Sequence, residues 1–141
     1  MKKMLFVLLI LCFSFYLYSE ELQEFNPDTD FAQVMYVRMQ RQVNGTWIFD
    51  VTVRHHDQGW KHYAGLREVI DPANGELLEK RVLLHPHDTE QPFTRSESGI
   101  IIPAGVKRAI VRAKCTQHGF NGKQIAVDFS QQKTDEYEII K

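Results

Sequence analysis

One stretch of the sequence, residues 46–55, constrains the fold more than any other. Apolar side chains recur there at every second position, at Trp47, Phe49, Val51 and Val53. The residues that directly follow Phe49, Val51 and Val53 are polar or charged: Asp50, Thr52 and Arg54. A repeat of two places alternate side chains on opposite faces of an extended strand, so this segment predicts a β-strand with one buried face and one solvated face.

The remainder of the chain fits the same type of structure. Turn residues such as Asn44-Gly45 and the segment 71–75 separate short apolar or alternating runs. The predicted strands cover residues 34–42, 46–55, 62–70, 77–84, 99–102, 107–115 and 124–130. Residues 85–98 contain two prolines and are predicted to form a long loop.

No segment has the pattern of an amphipathic helix, so we expect an all-β protein. The spacing of strands and turns favours a single immunoglobulin-like antiparallel β-sandwich of about seven strands, over residues 34–131. A polar lead-in is expected at 20–33 and a polar tail at 132–141. The length of 141 residues leaves room for one domain.

Residues 1–19 are predicted to be a cleaved signal peptide. Lys2 and Lys3 precede an almost wholly apolar run over residues 4–18, and Ser19 is small enough for a cleavage position. An uncleaved anchor is the weaker alternative, because the run is short for a membrane-spanning helix. We therefore expect an exported protein, either periplasmic or secreted.

Cysteine usage bears on both export and chemistry. Cys12 lies inside the apolar run, but the bulky Leu11 stands before it where a lipidation signal usually has a small residue. Simple cleavage is favoured, and contact with a membrane is expected only through the signal or through lipidation at Cys12. Cys115 is then the one cysteine of the mature chain, without an intramolecular disulfide partner.

The charge balance excludes one class of partner. The chain has 17 Lys and Arg, 18 Asp and Glu, a net charge of −1 and no basic block. Nucleic-acid binding requires a concentrated cationic face, so it is not expected. Hydrolase triads and phosphate-binding loops also lack a recognisable motif.

The histidines are expected to meet at one end of the sandwich. Antiparallel strands alternate in direction, so successive loops alternate between the two ends. Following the predicted strands places all the histidines and Cys115 at the same end: His55, His56, His62, His85, His87 and His118. Imidazole and thiolate together suit iron, copper or zinc, and do not suit calcium or magnesium.

The spacing of these residues suggests which of them bind a metal ion. Cys115 and His118 are three residues apart in a turn, and His56 and His62 flank a five-residue loop. We expect these four residues to be ligands, together with one of the pair that opens the long loop, His85 and His87. The phase of the strand at 46–55 puts His55 on the core side at the strand end, where it is expected to be structural. An inert buried Cys115 is an equal alternative to a ligand.

At these residues the chain resembles the iron-centre domain of superoxide reductases, the desulfoferrodoxin and neelaredoxin group. One ligand pair of that family is written His, five residues, then His-Tyr-Ile or similar, and His56, His62 and Tyr63 stand in that spacing. Its later ligands are Cys-x-x-His followed by Gly and an aromatic residue, matched by the segment 115–120, Cys-Thr-Gln-His-Gly-Phe. Residues 20–53 contain no histidine, where the family has its first ligand, so a fourth imidazole would come from His55, His85 or His87. The phrase His-Pro-His-x-x-Glu-Gln-Pro-Phe-Thr-Arg-Ser also resembles an uncharacterised group of exported bacterial proteins.

The resemblance implies a mononuclear iron site that reduces superoxide, with the Cys115 thiolate as the axial ligand and Lys61 drawing the anion towards the metal. It also implies an external electron donor, which the sequence does not identify. Two other functions remain open: a copper or zinc carrier that uses the same residues, and a non-enzymatic β-sandwich module for protein contact.

Overall fold

The computed structural model describes residues 21–141, so the predicted signal peptide and Cys12 lie outside the described residues. Eight strands form within this range. They are β1 (Gln33–Arg41), β2 (Trp47–Arg54), β3 (Ala64–Ile70), β4 (Leu77–Val82), β5 (Phe93–Ile100), β6 (Arg108–Cys115), β7 (Ile125–Asp128) and β8 (Tyr137–Ile140).

The strands form two four-stranded sheets, in the orders β5-β2-β1-β8 and β4-β3-β6-β7. All neighbouring pairs are antiparallel except β1 and β8, which run parallel. The predicted all-β sandwich is confirmed, with eight strands where about seven were expected. Within residues 21–141, no helix reaches the length and apolarity needed to cross a bilayer.

The core lies between the two sheets and follows the alternation seen in the sequence. Phe49, Val51 and Val53 are at most 1% exposed, and Trp47 packs against the core from its edge. The facing sheet contributes both ends of β3 and alternate residues of β6 and β7. They are Ala64, Val69, Ala109, Val111, Ala113, Cys115, Ile125 and Val127.

The prediction of a loop over residues 85–98 was wrong in its second half, where β5 begins at Phe93 and pairs with β2. Both prolines precede the strand, so neither interrupts it. Because β5 is an edge strand, only Phe93 and Ile100 are buried, and its polar sequence hides the strand pattern.

The predicted polar tail, residues 132–141, also contains a strand. Tyr137 and Ile139 are buried, and β8 adds to the edge of β1 with Met39 opposite Ile139. Four residues are too short a run for a period of two to stand out in the sequence.

The strand directions divide the connections between two ends of the sandwich. The site pole is the end formed by residues 55–63, 84–92 and 116–124. The far pole is the opposite end, with turns 42–46, 71–76 and 101–107. All six histidines and Cys115 lie at the site pole, as the alternation of strand directions predicts.

Candidate metal centre

Three buried side chains at the site pole point their donor atoms at one another. One ligand atom from each of His55, His62 and Cys115 lies within 4.8 Å of the other two. Their exposed fractions are 2%, 6% and 2%. His118 adjoins the group, since its Nδ1 is 3.2 Å from Cys115 Sγ and its ring centroid is 5.1 Å from that of His62. We call these four residues the His/Cys cluster.

The pairing of β3 with β6 brings two of these residues together. Ala64, at the start of β3, is the partner of Cys115, at the end of β6. His62 therefore lies just beyond the pair. The turn after Cys115 stabilises the contact between the two strand ends. Thr116 N–H donates to the carbonyl of Tyr63 (2.9 Å), and the Thr116 hydroxyl donates to the carbonyl of Lys61 (3.1 Å).

A tight turn between β2 and β3 returns the chain to the cluster. Gly59 has φ of +73°, a conformation that favours glycine. Its N–H donates to Asp88 Oδ1 (3.0 Å), and Gln58 N–H donates to the carbonyl of His62 (2.7 Å). This turn places the rings of His55 and His62 edge to face, with centroids 4.7 Å apart.

The orientation of His55 is fixed by a buried carboxylate. Its Nδ1 lies 2.6 Å from Asp57 Oδ1, and its Nε2 lies 3.0 Å from the main-chain oxygen of Asp30. Both oxygens are acceptors when Asp57 is ionised, so the ring makes both hydrogen bonds only when each nitrogen carries a proton. A metal ion at Nε2 would replace the second of these protons, while the carboxylate held Nδ1–H, as is usual behind a ligating histidine.

Asp57 also ties three parts of the site pole together. Burial opposes its ionisation, but hydrogen bonds from His55 and from the backbone N–H groups of His87 and Ala64 outweigh that effect, so the pKa of Asp57 lies below its ordinary value. The N–H of Ala64 donates to Oδ1 (3.0 Å) and that of His87 donates to Oδ2 (2.7 Å). The carboxylate thus remains charged where it supports His55.

His62 supplies the observation that most favours a bound ion. Its Nε2 is buried and has no hydrogen-bond partner within residues 21–141. Burial lowers the pKa of His62, and positive charge on His55 or His118 would lower it further. The carboxylate and main-chain oxygen of Asp30 act weakly on this pKa in the opposite direction. A buried unpaired nitrogen costs free energy unless something binds it, and neutral imidazole is the form that binds metal.

The Cys115 turn has the geometry of a chelating pair. Sγ accepts the backbone N–H of His118 at 3.2 Å and also lies 3.2 Å from His118 Nδ1. The thiolate is the form of cysteine that binds metal. One turn thus provides both a sulfur and a nitrogen donor.

The lead-in before β1 covers the cluster. Cys115 Sγ is 3.7 Å from the oxygen of Asp30, and the Phe31 ring packs edge-on against His118 at 5.3 Å. The lead-in is held by Gln124 N–H, which donates to the carbonyl of Gln23 (3.1 Å). The cluster is therefore enclosed on this side by main chain and an aromatic ring.

The structure does not bring every predicted ligand into the cluster. His56 is exposed, and its neighbour His55 takes the buried position. His55 was expected to be structural, although the alternation of β2 already placed it on the core side. The side chain of Lys61 is exposed, and only its carbonyl bonds to the Cys115 turn.

His85 and His87 lie together, outside the cluster. His85 is exposed, whereas His87 is 5% exposed and stacks on Phe93 with centroids 3.8 Å apart. Neither ring nitrogen of His87 has a hydrogen-bond partner within residues 21–141, and its Nδ1 is 3.8 Å from Asp57 Oδ2, too far for a hydrogen bond. Burial lowers the pKa of His87 most, and positive charge on Arg95 or His85 lowers it further.

The donor set fits a transition metal ion. Three imidazoles and one thiolate suit zinc, copper or iron and do not suit calcium or magnesium. Two surface cavities reach the cluster from different sides: one of about 480 Å³ is lined by Cys115 and His118, and one of about 230 Å³ is lined by His55. Three of the donors, His55, His62 and Cys115, are thus buried and His118 is half-buried, and all lie close to solvent-accessible space.

The chain is similar to a protein whose name describes a lipoprotein. The chain is 36% identical over 110 residues to a protein of Halomicrobium mukohataei named "Putative lipoprotein". The match covers 78% of this chain and 53% of that protein, so the chain spans about half the length of this relative. No family model matches the sequence, and no solved structure matches it.

Proposed function

We propose that the protein is an exported metalloprotein whose His/Cys cluster binds one transition metal ion. The unpaired Nε2 of His62, buried between His55 and His118 and close to the Cys115 sulfur, carries this proposal. His55, His62 and His118 would supply nitrogen donors, and Cys115 would supply the sulfur. Asp57 would hold His55 in position from behind.

Iron is the preferred metal and superoxide the preferred substrate, on the strength of the resemblance to superoxide reductases. Ferrous iron held there would supply the electron that, with two protons, converts superoxide to hydrogen peroxide. Lys61, exposed at the same pole, would raise the local concentration of the superoxide anion. An external electron donor of unidentified chemistry is also required.

The proposed site differs from the family pattern in one ligand. That pattern has four histidines, whereas the cluster has three, and the main-chain oxygen of Asp30 lies 3.0 Å from His55 Nε2. His87 is separated from the cluster by Asp57, whose two oxygens bond to His55 on one side and to the His87 N–H on the other. A three-histidine, one-cysteine set also suits copper or zinc, and this favours a metal carrier without turnover as the second candidate.

Export rests on two observations about the chain and its relative. The apolar run of residues 4–18 after two lysines is typical of a secretory signal. The relative's name describes a lipoprotein, a class of exported protein. We propose an exported location, without a choice between periplasm and secretion.

The test measures how much metal the purified mature chain binds and how fast it consumes superoxide. Wild type, His62→Ala and Cys115→Ser are purified anaerobically, loaded with ferrous iron and desalted. We expect about one iron per wild-type chain and superoxide consumption that both substitutions abolish. His85→Ala is the control, because His85 is exposed and outside the cluster. Its metal content and rate should match those of wild type.

The outcomes separate the candidates. Tight copper or zinc binding through the same residues, with no superoxide consumption by the iron-loaded protein, would replace the reductase by the carrier. Equal metal content in wild type, His62→Ala and Cys115→Ser would reject the metal centre and leave the protein-contact module.

A further inference from the structure

A large cavity lies at the far pole, and no histidine lines it. Its volume is about 600 Å³, within the range of small-molecule sites. The rings of Trp47 and Phe129 form one wall, with centroids 5.6 Å apart. Aliphatic side chains, Ile102, Val106 and Ile139 among them, form much of the remainder.

Two exposed cations stand at the rim of this cavity, where the inward-facing phase of two strands reaches the strand ends. On β1, Val37 and Met39 face the core, and Arg41 is the next residue in that phase. On β8, Tyr137 and Ile139 face the core, and Lys141 is next in the same phase. Both Arg41 and Lys141 line the cavity.

The two cations also lie at corresponding positions of neighbouring strands, and no Asp or Glu side chain pairs with either within residues 21–141. The strands β1 and β8 are parallel neighbours, with Met39 opposite Ile139, so Arg41 and Lys141 follow at corresponding positions. Neither makes an ion pair within residues 21–141, whereas the other arginines described there do so with the exception of Arg54. No Asp or Glu lines the cavity.

We propose that the far-pole cavity binds a small apolar carboxylate, with its hydrocarbon body against Trp47 and Phe129 and its carboxylate at Arg41 and Lys141. Burial of the apolar body supplies the main attraction. The carboxylate pairs with the cations at the rim, and the planar guanidinium of Arg41 can bond both of its oxygens. This site is separate from the His/Cys cluster and does not depend on the proposed metal chemistry.

Trp47 provides a built-in reporter of occupancy. The chain has two tryptophans, and Trp60 is 69% exposed at the site pole. A Trp60→Phe background therefore leaves the fluorescence of Trp47 alone. The probe is decanoate, titrated below its micelle concentration, beside decanol as an uncharged ligand of the same chain length.

We expect decanoate to change Trp47 fluorescence saturably and to bind at least five-fold more tightly than decanol. Arg41→Gln should weaken decanoate at least five-fold and leave decanol unchanged. Arg38→Gln is the matched control, because Arg38 is on the same strand, faces outward and pairs with Asp50 at 3.6 Å. It should bind decanoate as wild type does.

A second variant tests the cavity itself. Ala104 is exposed in the turn that lines it, so Ala104→Phe should fill space without disturbing the core. We expect it to weaken both ligands. The absence of saturable binding, equal affinity for decanoate and decanol, or equal effects of Arg41→Gln and Arg38→Gln would each overturn the proposal. A Trp47 response only to anionic phospholipid vesicles would also overturn it, in favour of a membrane contact.

Discussion

At the residue scale, the site depends on which of two adjacent histidines is buried. His55 and His56 are neighbours, but the phase of β2 buries one and exposes the other. The sequence pattern already placed His55 on the core side, whereas the motif spacing of the resemblance selected His56. Because adjacent residues of a strand face opposite ways, the hydrophobic phase decides which ring reaches the cluster.

The contribution of Asp57 could not be predicted from the sequence. Its role depends on three hydrogen bonds that join β2, the start of β3 and the loop before β5. The bond from His87 N–H is the one that connects residues distant in sequence. It forms only if the loop of His87 folds back over the β2–β3 turn. Nothing local to Asp57 signals this arrangement.

His87 yields a prediction on pH dependence. Burial lowers its pKa below the ordinary value of about 6.5, so the unfolded chain binds a proton there at a higher pH than the folded chain does. Acidification from pH 7.5 to 5.5 therefore favours the unfolded chain. His87→Phe keeps a ring against Phe93 and removes this titration, so it should lose less unfolding free energy over that range than wild type. Urea unfolding of both proteins in a chelator measures this, and equal losses would contradict it.

At the scale of elements, the inner strands could be predicted and two edge strands could not. The strands β2 and β6 have buried faces that alternate clearly, so their sequences reveal them. The strands β5 and β8 lie at opposite edges of one sheet and bury few side chains. Their formation depends on backbone pairing with a neighbour already in place, which composition alone does not display.

The lead-in and the loop before β7 give a prediction about packing over the cluster. A Cβ at Gly122 would overlap the main-chain oxygen of Ala32, whereas a Cβ at Gly119 would make an ordinary contact of 3.6 Å with Asn121. Gly122→Ala should therefore destabilise the protein by about 1–3 kcal/mol and weaken metal binding, because the lead-in carries Asp30 and Phe31 across the cluster. Gly119→Ala should do neither. Denaturant unfolding and metal titration compare the two, and similar behaviour would contradict the packing described.

At the scale of the whole molecule, the sandwich separates folding from chemistry. The hydrophobic core runs between the sheets, and the His/Cys cluster lies at one end of it, with only Cys115 counted among the core residues. The far-pole cavity lies at the other end. The order and direction of the strands thus decide which residues meet, and this is why the gathering of histidines at one pole followed from the sequence.

This separation predicts the effect of removing the metal. Small domains built around a metal unfold without it, but here Cys115 is the one cluster residue in the hydrophobic core, which is otherwise made of apolar side chains from both sheets. Chelation should lower the melting temperature and leave the far-ultraviolet circular dichroism of a β-protein unchanged at 25 °C. Loss of that spectrum on chelation would mean that the metal organises the fold itself.

The most direct test of the central claim is the metal content of two adjacent variants, His55→Ala and His56→Ala, loaded and desalted in parallel and shown by circular dichroism to be folded. If the cluster of His55, His62, Cys115 and His118 is the metal centre, His55→Ala loses most of the bound metal and His56→Ala keeps it. Retention of metal by His55→Ala together with its loss from His56→Ala, or retention by both, would contradict the assignment.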